Sequence, residues 1–331
     1  MGKPTLRTIS EVTGLALTTI SRALSEDPKI APATRERVAR VAREVGYVPD
    51  RAAQRLRTGR TNVIAIVLSP HEEIIGFRGS LIAGLGEALE GTAFHISMIP
   101  YATGNSVMAP VAHIVRNRLA DGLVFAGTSP DDPRARYLSE AGFPFASHGR
   151  TGFGNGHAWC DYDNAAFARI AVERLAGRGR RRPFLIQPAA EYTFATHMTT
   201  GFSEAAARAG IAALLDPAVT IRTPADRINA FVTDLMASPG APDAFICPGE
   251  VAAMAVLAAL TDLGLRVGRD VDVIAKQTSP LFDQFRPRID TIYEDLRAAG
   301  KVLGSLLLRR IAGEPPEALN VLMQPAPRFR L

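Results

Sequence analysis

The sequence predicts a small all-helical module at the N-terminus, joined by a basic helical linker to an α/β core of two lobes with parallel sheets. Three observations lead there. The chain has 331 residues, more than one hydrophobic core usually holds, so two domains or a little more are expected. Its texture changes at Asn62, from short polar helices to apolar strands that alternate with helices. Its charge is uneven: residues 1–60 hold twelve Lys/Arg and six Asp/Glu, a surplus that exceeds the net +5 of the whole chain. A basic module on a near-neutral body suits a polyanionic partner, although a solvated helical surface is charged in the same way.

The helical module divides at its glycines. Ile9 and Val12, spaced i,i+3, suggest a first helix over about Thr8–Thr13, ended by Gly14. A second runs over about Leu17–Leu24. A third starts with Pro32 at its first position and carries the stripe Val38, Val41, Ala42 and Val45 before Gly46. Pro49 blocks continuation, and Asp50 is a good N-cap for a short basic helix whose only apolar groups are Ala52, Ala53 and Leu56. Such a helix needs external contacts to persist.

From Val63 the order is strand, helix, strand. VIAIVL (63–68) reads as a strand buried on both faces. Helix 79–90, strand 94–99, helix 107–119, strand 122–125, helix 133–141 and strand 144–147 follow. The rhythm restarts after Asn164 with helix 165–176, strand 183–186, helix 200–209, a strand near 219–221, helix 227–237, strand 244–247, helix 251–263, strand 271–274 and a late helix 296–311. Two such runs imply two similar lobes, with a ligand cleft at the carboxyl ends of their strands.

Two cysteines, Cys160 and Cys247, argue against a disulfide framework, and no signal peptide or ~20-residue apolar span is present; a cytoplasmic protein is expected. No Gly-rich phosphate loop, GxSxG elbow, HExxH or CxxC occurs, so neither an enzyme nor a cofactor or metal is expected. The run Arg180–Arg182 sits between a helix and a strand and reads as a solvated turn.

Residues Glu11–Leu24 (EVTGLALTTISRAL), followed in order by ATRERV (33–38), GYVP (46–49), Ala53, Leu56 and RTGR (57–60), resemble the helix-turn-helix and hinge of the LacI/GalR family of bacterial transcription regulators. The likeness continues more loosely to about Gly300. It implies a DNA-binding head (1–46), a hinge helix and linker (47–60) and a periplasmic-binding-protein-like effector domain (61–331). Lobe 1 would take about 61–160 and 291–321, and lobe 2 about 161–290 and 322–331. It further implies a homodimer on a pseudo-palindromic double-stranded operator. The second helix would then enter the major groove with Leu17 and Thr18 foremost. Arg22 can bind guanine O6/N7 in bidentate fashion, Thr18 can hydrogen-bond a base, and Leu17 can touch a thymine methyl. Thr19 and Ser21 suit phosphate oxygens; Thr5, Thr34, Tyr47 and Asp50 are further DNA contacts by resemblance. Leu56 would wedge into the minor groove, with Ala53 allowing paired hinge helices to approach. Ala16 and Ala31 stand where capping serines are common, a loss of about 1 kcal/mol for Ala16. Asp50 replaces an asparagine.

For the effector the resemblance implies a small molecule, usually a sugar. Phe77 matches a residue that stacks on the ligand or packs in the core. Arg150 matches the arginine of an Asp-Arg pair, but Gly149 precedes it, so the acid is missing. Glu250 and Gln277 occupy positions of common aspartates. Gly201-Phe202 is retained, but Met198 replaces the arginine that often lies three residues before it. His148, Trp159, Tyr192 and His197 are then local substitutes, each able to be merely structural; with HGR (148–150) and FATHM (194–198) the chain resembles glucoside-utilisation regulators. Asp163-Asn164 reads as a helix cap. The reading reached is a ligand-responsive repressor of carbohydrate-utilisation genes. The alternative is a sugar-scavenging solute-binding protein of the same two-lobe class, opposed by the basic N-terminus.

Overall fold

A computed structural model describes residues 4–48, 55, 59–68, 74–99 and 106–331. The chain forms two compact units, Met1–Thr61 and Asn62–Leu331.

In the first unit three helices, α1 (Leu6–Thr13), α2 (Leu17–Leu24) and α3 (Pro32–Glu44), enclose a core of Ile9, Ile20, Ala23, Val38, Val41 and Ala42. The first helix begins earlier than periodicity suggests. The Thr5 N–H donates to Thr8 Oγ1 at 3.1 Å, which satisfies an orphan donor one turn ahead. Val12 is not core: it is 57% exposed, and Thr13 is buried instead. The Thr13 hydroxyl donates to Ile9 O (2.7 Å), so it enters the core with its polar group satisfied. Ala16 stands at the N-cap of α2 and Ala31 at that of α3, neither with a side-chain bond to the helix.

The second unit holds two six-stranded sheets. The strands of the first are β1 (Val63–Val67), β2 (His95–Met98), β3 (Gly122–Ala126), β4 (Phe145–His148), β5 (Ala158–Tyr162) and β11 (Asn320–Met323), in the order β11-β5-β4-β3-β1-β2. The second sheet comprises β6 (Pro183–Gln187), β7 (Leu214–Thr220), β8 (Ala244–Cys247), β9 (Asp272–Gln277), β10 (Asp290–Tyr293) and β12 (Ala326–Arg328), ordered β12-β10-β9-β8-β6-β7. All pairings are parallel except β10 with β12. Buried runs such as β3 and β8 are apolar because helices cover both faces of each sheet. Helices α4 (Phe77–Leu89), α5 (Met108–Arg116), α6 (Pro133–Glu140) and α12 (Leu296–Ile311) accompany the first sheet. Those of the second are α7 (Asn164–Gly177), α8 (Thr193–Ala209), α9 (Ala225–Met236), α10 (Glu250–Asp262) and the short α11 (Leu281–Gln284). The chain passes between lobes after β5, after β10 and after β11. Helix α8 begins seven residues before the expected Thr200, and β5, β10, β11 and β12 lie where no strand is expected from the pattern.

The Arg180 turn is more than solvated. Arg178 Nε and Arg180 Nε lie 2.6 and 3.0 Å from Oδ2 of buried Asp272. Burial opposes ionisation of that carboxyl, but the two guanidiniums hold it below the usual carboxylate range. They thereby fix the start of β9, whose far end reaches the cleft.

Candidate effector cleft and DNA-reading helix

Between the two sheets, at the carboxyl ends of their strands, lies a cleft of about 830 Å³ including its mouth. Its polar floor is built from three places where the chain passes between lobes or turns at a strand end. Lys276, at the end of β9, is 3% exposed. Its Nζ lies 3.0 Å from Glu294 Oε2 and donates to Asn164 Oδ1 at 2.8 Å. The ammonium also sits 4.3 Å from the Tyr162 ring centre and 5.4 Å from that of Phe167. Asp161, at the end of β5, accepts from Arg150 Nε at 2.7 Å. Each cation therefore has its own carboxylate, and the floor is charge-balanced.

His148 faces this floor, with Nε2 3.8 Å from Glu294 Oε1. Burial dominates and lowers its pKa, although Glu294 and Asp161 pull the other way and Lys276 reinforces the drop. The imidazole is thus neutral near pH 7. Phe77, first residue of α4, lies edge-on to His148 with ring centres 5.3 Å apart. Across the cleft Tyr192 stacks on Phe194 at 5.4 Å. Apolar ring faces thus surround a polar floor. The Tyr162 hydroxyl, on a residue 3% exposed that lines the cleft, has no hydrogen-bond partner among the described residues. A buried hydroxyl without a partner is costly.

Of the nine residues expected at the effector site, the structure brings Phe77, His148 and Tyr192 to the cleft wall. Arg150 lies behind it, bound to Asp161 and, through Nη2, to His197 Nδ1 at 3.3 Å. The acid absent at position 149 is therefore supplied from the neighbouring strand. Five other expected ligands do not line the cleft either. Trp159 donates from Nε1 to Gly154 O and flanks Arg150. Met198 is fully buried core. Gln277 is buried against Thr291, Ser279 and Asp283. Glu250 is buried with its carboxylate filled by protein donors. His197 likewise meets Arg150 rather than the cleft. Asp163 caps α7, accepting from Ala166 N, but Asn164 belongs to the floor.

Sequence reasoning missed Lys276, Glu294, Asp161, Asn164, Tyr162 and Phe194. Strand alternation supplied the signal for one of them: with Gln277 turned to the interior, its neighbour Lys276 meets the cleft.

In the helical unit, Leu17, Thr18 and Arg22 are exposed along α2, while Thr19 and Ser21 are half-buried. Arg22 Nε donates to Asp27 Oδ2 at 2.8 Å, so the guanidinium is pre-oriented by the loop after α2. Thr5 is exposed at the N-cap of α1, Thr34 is half-buried on α3, and Tyr47 packs against the small core. Asp50, Ala53 and Leu56 lie outside the described residues.

Three buried or half-buried histidines give the core domain an acid limit. Burial is the leading cause that lowers His148, His157 and His197 below their ordinary 6.5. Each binds a proton more readily unfolded than folded, so their contribution to stability is present above pH ~6.5 and fades as pH falls through and below that value. The melting temperature should fall between pH 7.5 and 5.5, and His157→Gln should flatten that slope; an equal slope in the variant would remove His157 from the account.

Comparisons with known proteins agree with this architecture. Residues 5–50 match the family described as bacterial regulatory proteins, lacI family, and residues 172–330 match a periplasmic binding protein-like domain. The HTH-type transcriptional regulator AglR of Rhizobium meliloti is 31% identical over 323 residues, covering 94% of this chain and 90% of its own. The HTH-type transcriptional regulator CelR of Thermobifida fusca is 28% identical over 333 residues, covering 97% and 96%. Among solved structures, a complex of the transcriptional regulator CelR with cellobiose superposes with a TM-score of 0.72 at 25% identity, over 99% of each chain. The lac repressor dimer bound to operator and an anti-inducer superposes at 0.80 with 21% identity, over 99% of this chain and 98% of the other, a likeness of fold. Among the described residues no helix is long and apolar enough to cross a membrane.

Proposed function

The chain belongs to the LacI family of bacterial regulatory proteins, and on that footing we propose that it is a cytoplasmic repressor of carbohydrate-utilisation genes whose effector is a neutral sugar or glucoside. It is a transcription regulator rather than an enzyme or a scavenging solute-binding protein. Two copies engage a pseudo-palindromic operator. Residues 1–46 form the reading head, 47–60 the hinge and 61–331 the effector domain.

The observation that carries the effector class is the charge balance of the cleft floor. Lys276 is matched by Glu294 and Arg150 by Asp161, and His148 is neutral. An entering anion would meet two carboxylates and no unspent cation, so Arg150 is a support for Asp161 rather than an anion clamp. Neutral hydroxyls, by contrast, suit the Tyr162 hydroxyl and the carboxylates, while the rings of Phe77, Tyr192 and Phe194 suit the apolar faces of a pyranose. The relative solved with cellobiose supports the same class.

Thermal melting of the full chain against neutral glucosides, galactosides, sugar acids and phosphosugars tests this. A ligand at 100 times its Kd adds about 2.7 kcal/mol. A shift with a neutral sugar, reduced in Tyr162→Phe, is expected; a shift only with acids or phosphates overturns the neutral class.

On DNA, Arg22, Thr18 and Leu17 read base edges while Thr19, Ser21, Thr5, Thr34 and Tyr47 address the backbone, Asp50 adds a negative charge beside the phosphates, and Leu56, with Ala53 beside the partner hinge, wedges into the minor groove. Arg22→Ala is expected to weaken operator binding by about 1–3 kcal/mol more than binding to random duplex. Equal losses on both, measured by titration at fixed salt, would make Arg22 a backbone contact only.

A further inference from the structure

Glu250 is the first residue of α10 and is fully buried, yet no cation among the described residues pairs with it. Its carboxylate is held by donors instead. Oε1 accepts from Thr278 N (2.9 Å), Ser279 N (2.9 Å) and Ser279 Oγ (2.8 Å). Oε2 accepts from Thr278 Oγ1 (2.9 Å) and from Ile75 N (3.0 Å). The first four donor contacts lie within the second lobe. Ile75 belongs to the first lobe, immediately ahead of α4, and its carbonyl lies 3.1 Å from Thr278 Oγ1. The Ile75 N–H is thus met by the second lobe, and its carbonyl lies within reach of the Thr278 hydroxyl, whose single proton serves either that carbonyl or Glu250 Oε2. Two residues further on, Phe77 turns its ring onto the cleft beside His148.

We infer that Glu250 is a positioning residue: a clasp that joins the two lobes through the Ile75 backbone and, from the second lobe, sets the Phe77 ring of the first. The division of labour between its oxygens makes the clasp reversible. If the lobes part, Oε1 keeps all three of its donors, and Oε2 keeps the Thr278 hydroxyl and gains water in place of Ile75 N. The α10 N-terminus continues to favour the negative charge. At this clasp, opening therefore costs one charge-assisted hydrogen bond and strands no buried charge, the property required of a contact that distinguishes two lobe arrangements. Because the acceptor addresses backbone atoms, the identity of residue 75 is immaterial to it.

Glu250→Gln separates the two arms. The amide oxygen takes the Oε1 position, where three donors converge, and the NH2 group then faces the Ile75 N–H, donor against donor. Thr278→Val removes the hydroxyl that Glu250 Oε2 and the Ile75 carbonyl share, while leaving the backbone donors of the Oε1 arm in place. The readout is the inter-lobe distance in the full chain without added ligand, from spin labels on Ser139→Cys and Ser203→Cys, both exposed, one on each lobe; the native Cys160 and Cys247 are fully buried and escape labelling. A narrow distance distribution is expected for the parent. In Glu250→Gln a longer-distance population should rise about tenfold, the equivalent of one hydrogen bond to a charged group, with a smaller rise in Thr278→Val. The Thr193 N–Thr128 O bond (2.9 Å) still links the lobes in both variants, so they remain tethered. Loss of melting temperature without change in the distance distribution would make Glu250 a support internal to the second lobe and overturn the clasp. So would a broad distribution in the parent. Neither result depends on which ligand the cleft takes.

Discussion

Lys276→Met is expected to destabilise the core domain by about 3–5 kcal/mol and to abolish its response to the effector. The reason is the company Lys276 keeps. Its ammonium is bonded to Asn164 and paired with Glu294 in a setting where neither lysine nor glutamate is more than 5% exposed. Removing one partner of a buried pair leaves the other charge uncompensated, and that penalty far exceeds the net worth of the pair. Glu294 would then retain only neutral His148 nearby, a poor counter-ion because burial keeps its pKa low. Adding Glu294→Gln to Lys276→Met removes the orphaned charge, so the double variant should recover most of the lost stability while still failing to bind the sugar that shifts the parent. Urea unfolding followed at the core-domain transition measures the first effect, and thermal shift with ligand the second. If Lys276→Met alone unfolds like the parent, the pair is solvated in solution and the charge-balanced floor is mistaken.

The architecture was legible where side-chain periodicity is local, and the site was not where it depends on register. The late helix was expected at Leu296–Ile311 and is found there, because its apolar stripe and the glycine after it lie within one stretch of chain. The strands Asp290–Tyr293 and Asn320–Met323 were not expected. Each has four residues and acquires its identity only by pairing with a partner, β9 or β5, that sequence alone does not place. The same limit governs the cleft. Phe77 was anticipated from the family resemblance, and His148 and Tyr192 as local substitutes for the ligand residues that resemblance lacks here. Glu250 and Gln277 have the expected chemistry just after β8 and at the end of β9, yet they are turned into the wall, while Lys276 and Glu294 face the cleft. A one-residue difference reverses the face of a strand. Asp161 was invisible for a related reason: its pairing with Arg150 follows from β4 and β5 lying side by side, not from any motif.

Gly84→Ala and Gly300→Ala should each destabilise the first lobe by about 3 kcal/mol or more, at or above the upper end of overpacking costs. Helices α4 and α12 cross with no room for a side chain between them. A Cβ on Gly84 would stand 1.8 Å from Arg297 O, and one on Gly300 would stand 2.1 Å from Leu81 O. Both obstacles are backbone atoms, so no rotamer change relieves them and the helices must separate. Separation opens the cluster of Leu81, Leu85, Leu303 and Leu307, which the two helices share with the first sheet. The consequence reaches the cleft, because α4 begins at Phe77 and is anchored on its N-terminal side by the Ile75–Glu250 contact. A shift of α4 away from α12 must either strain that contact or move the ring. Gly84→Ala should therefore weaken sugar-induced thermal shift as well as lower the melting temperature, whereas Gly86→Ala, on the same helix with nothing within 4 Å of the added carbon, should do neither. Equal behaviour of the two alanine variants would mean that the helices part freely, and that Phe77 is placed by its own lobe alone.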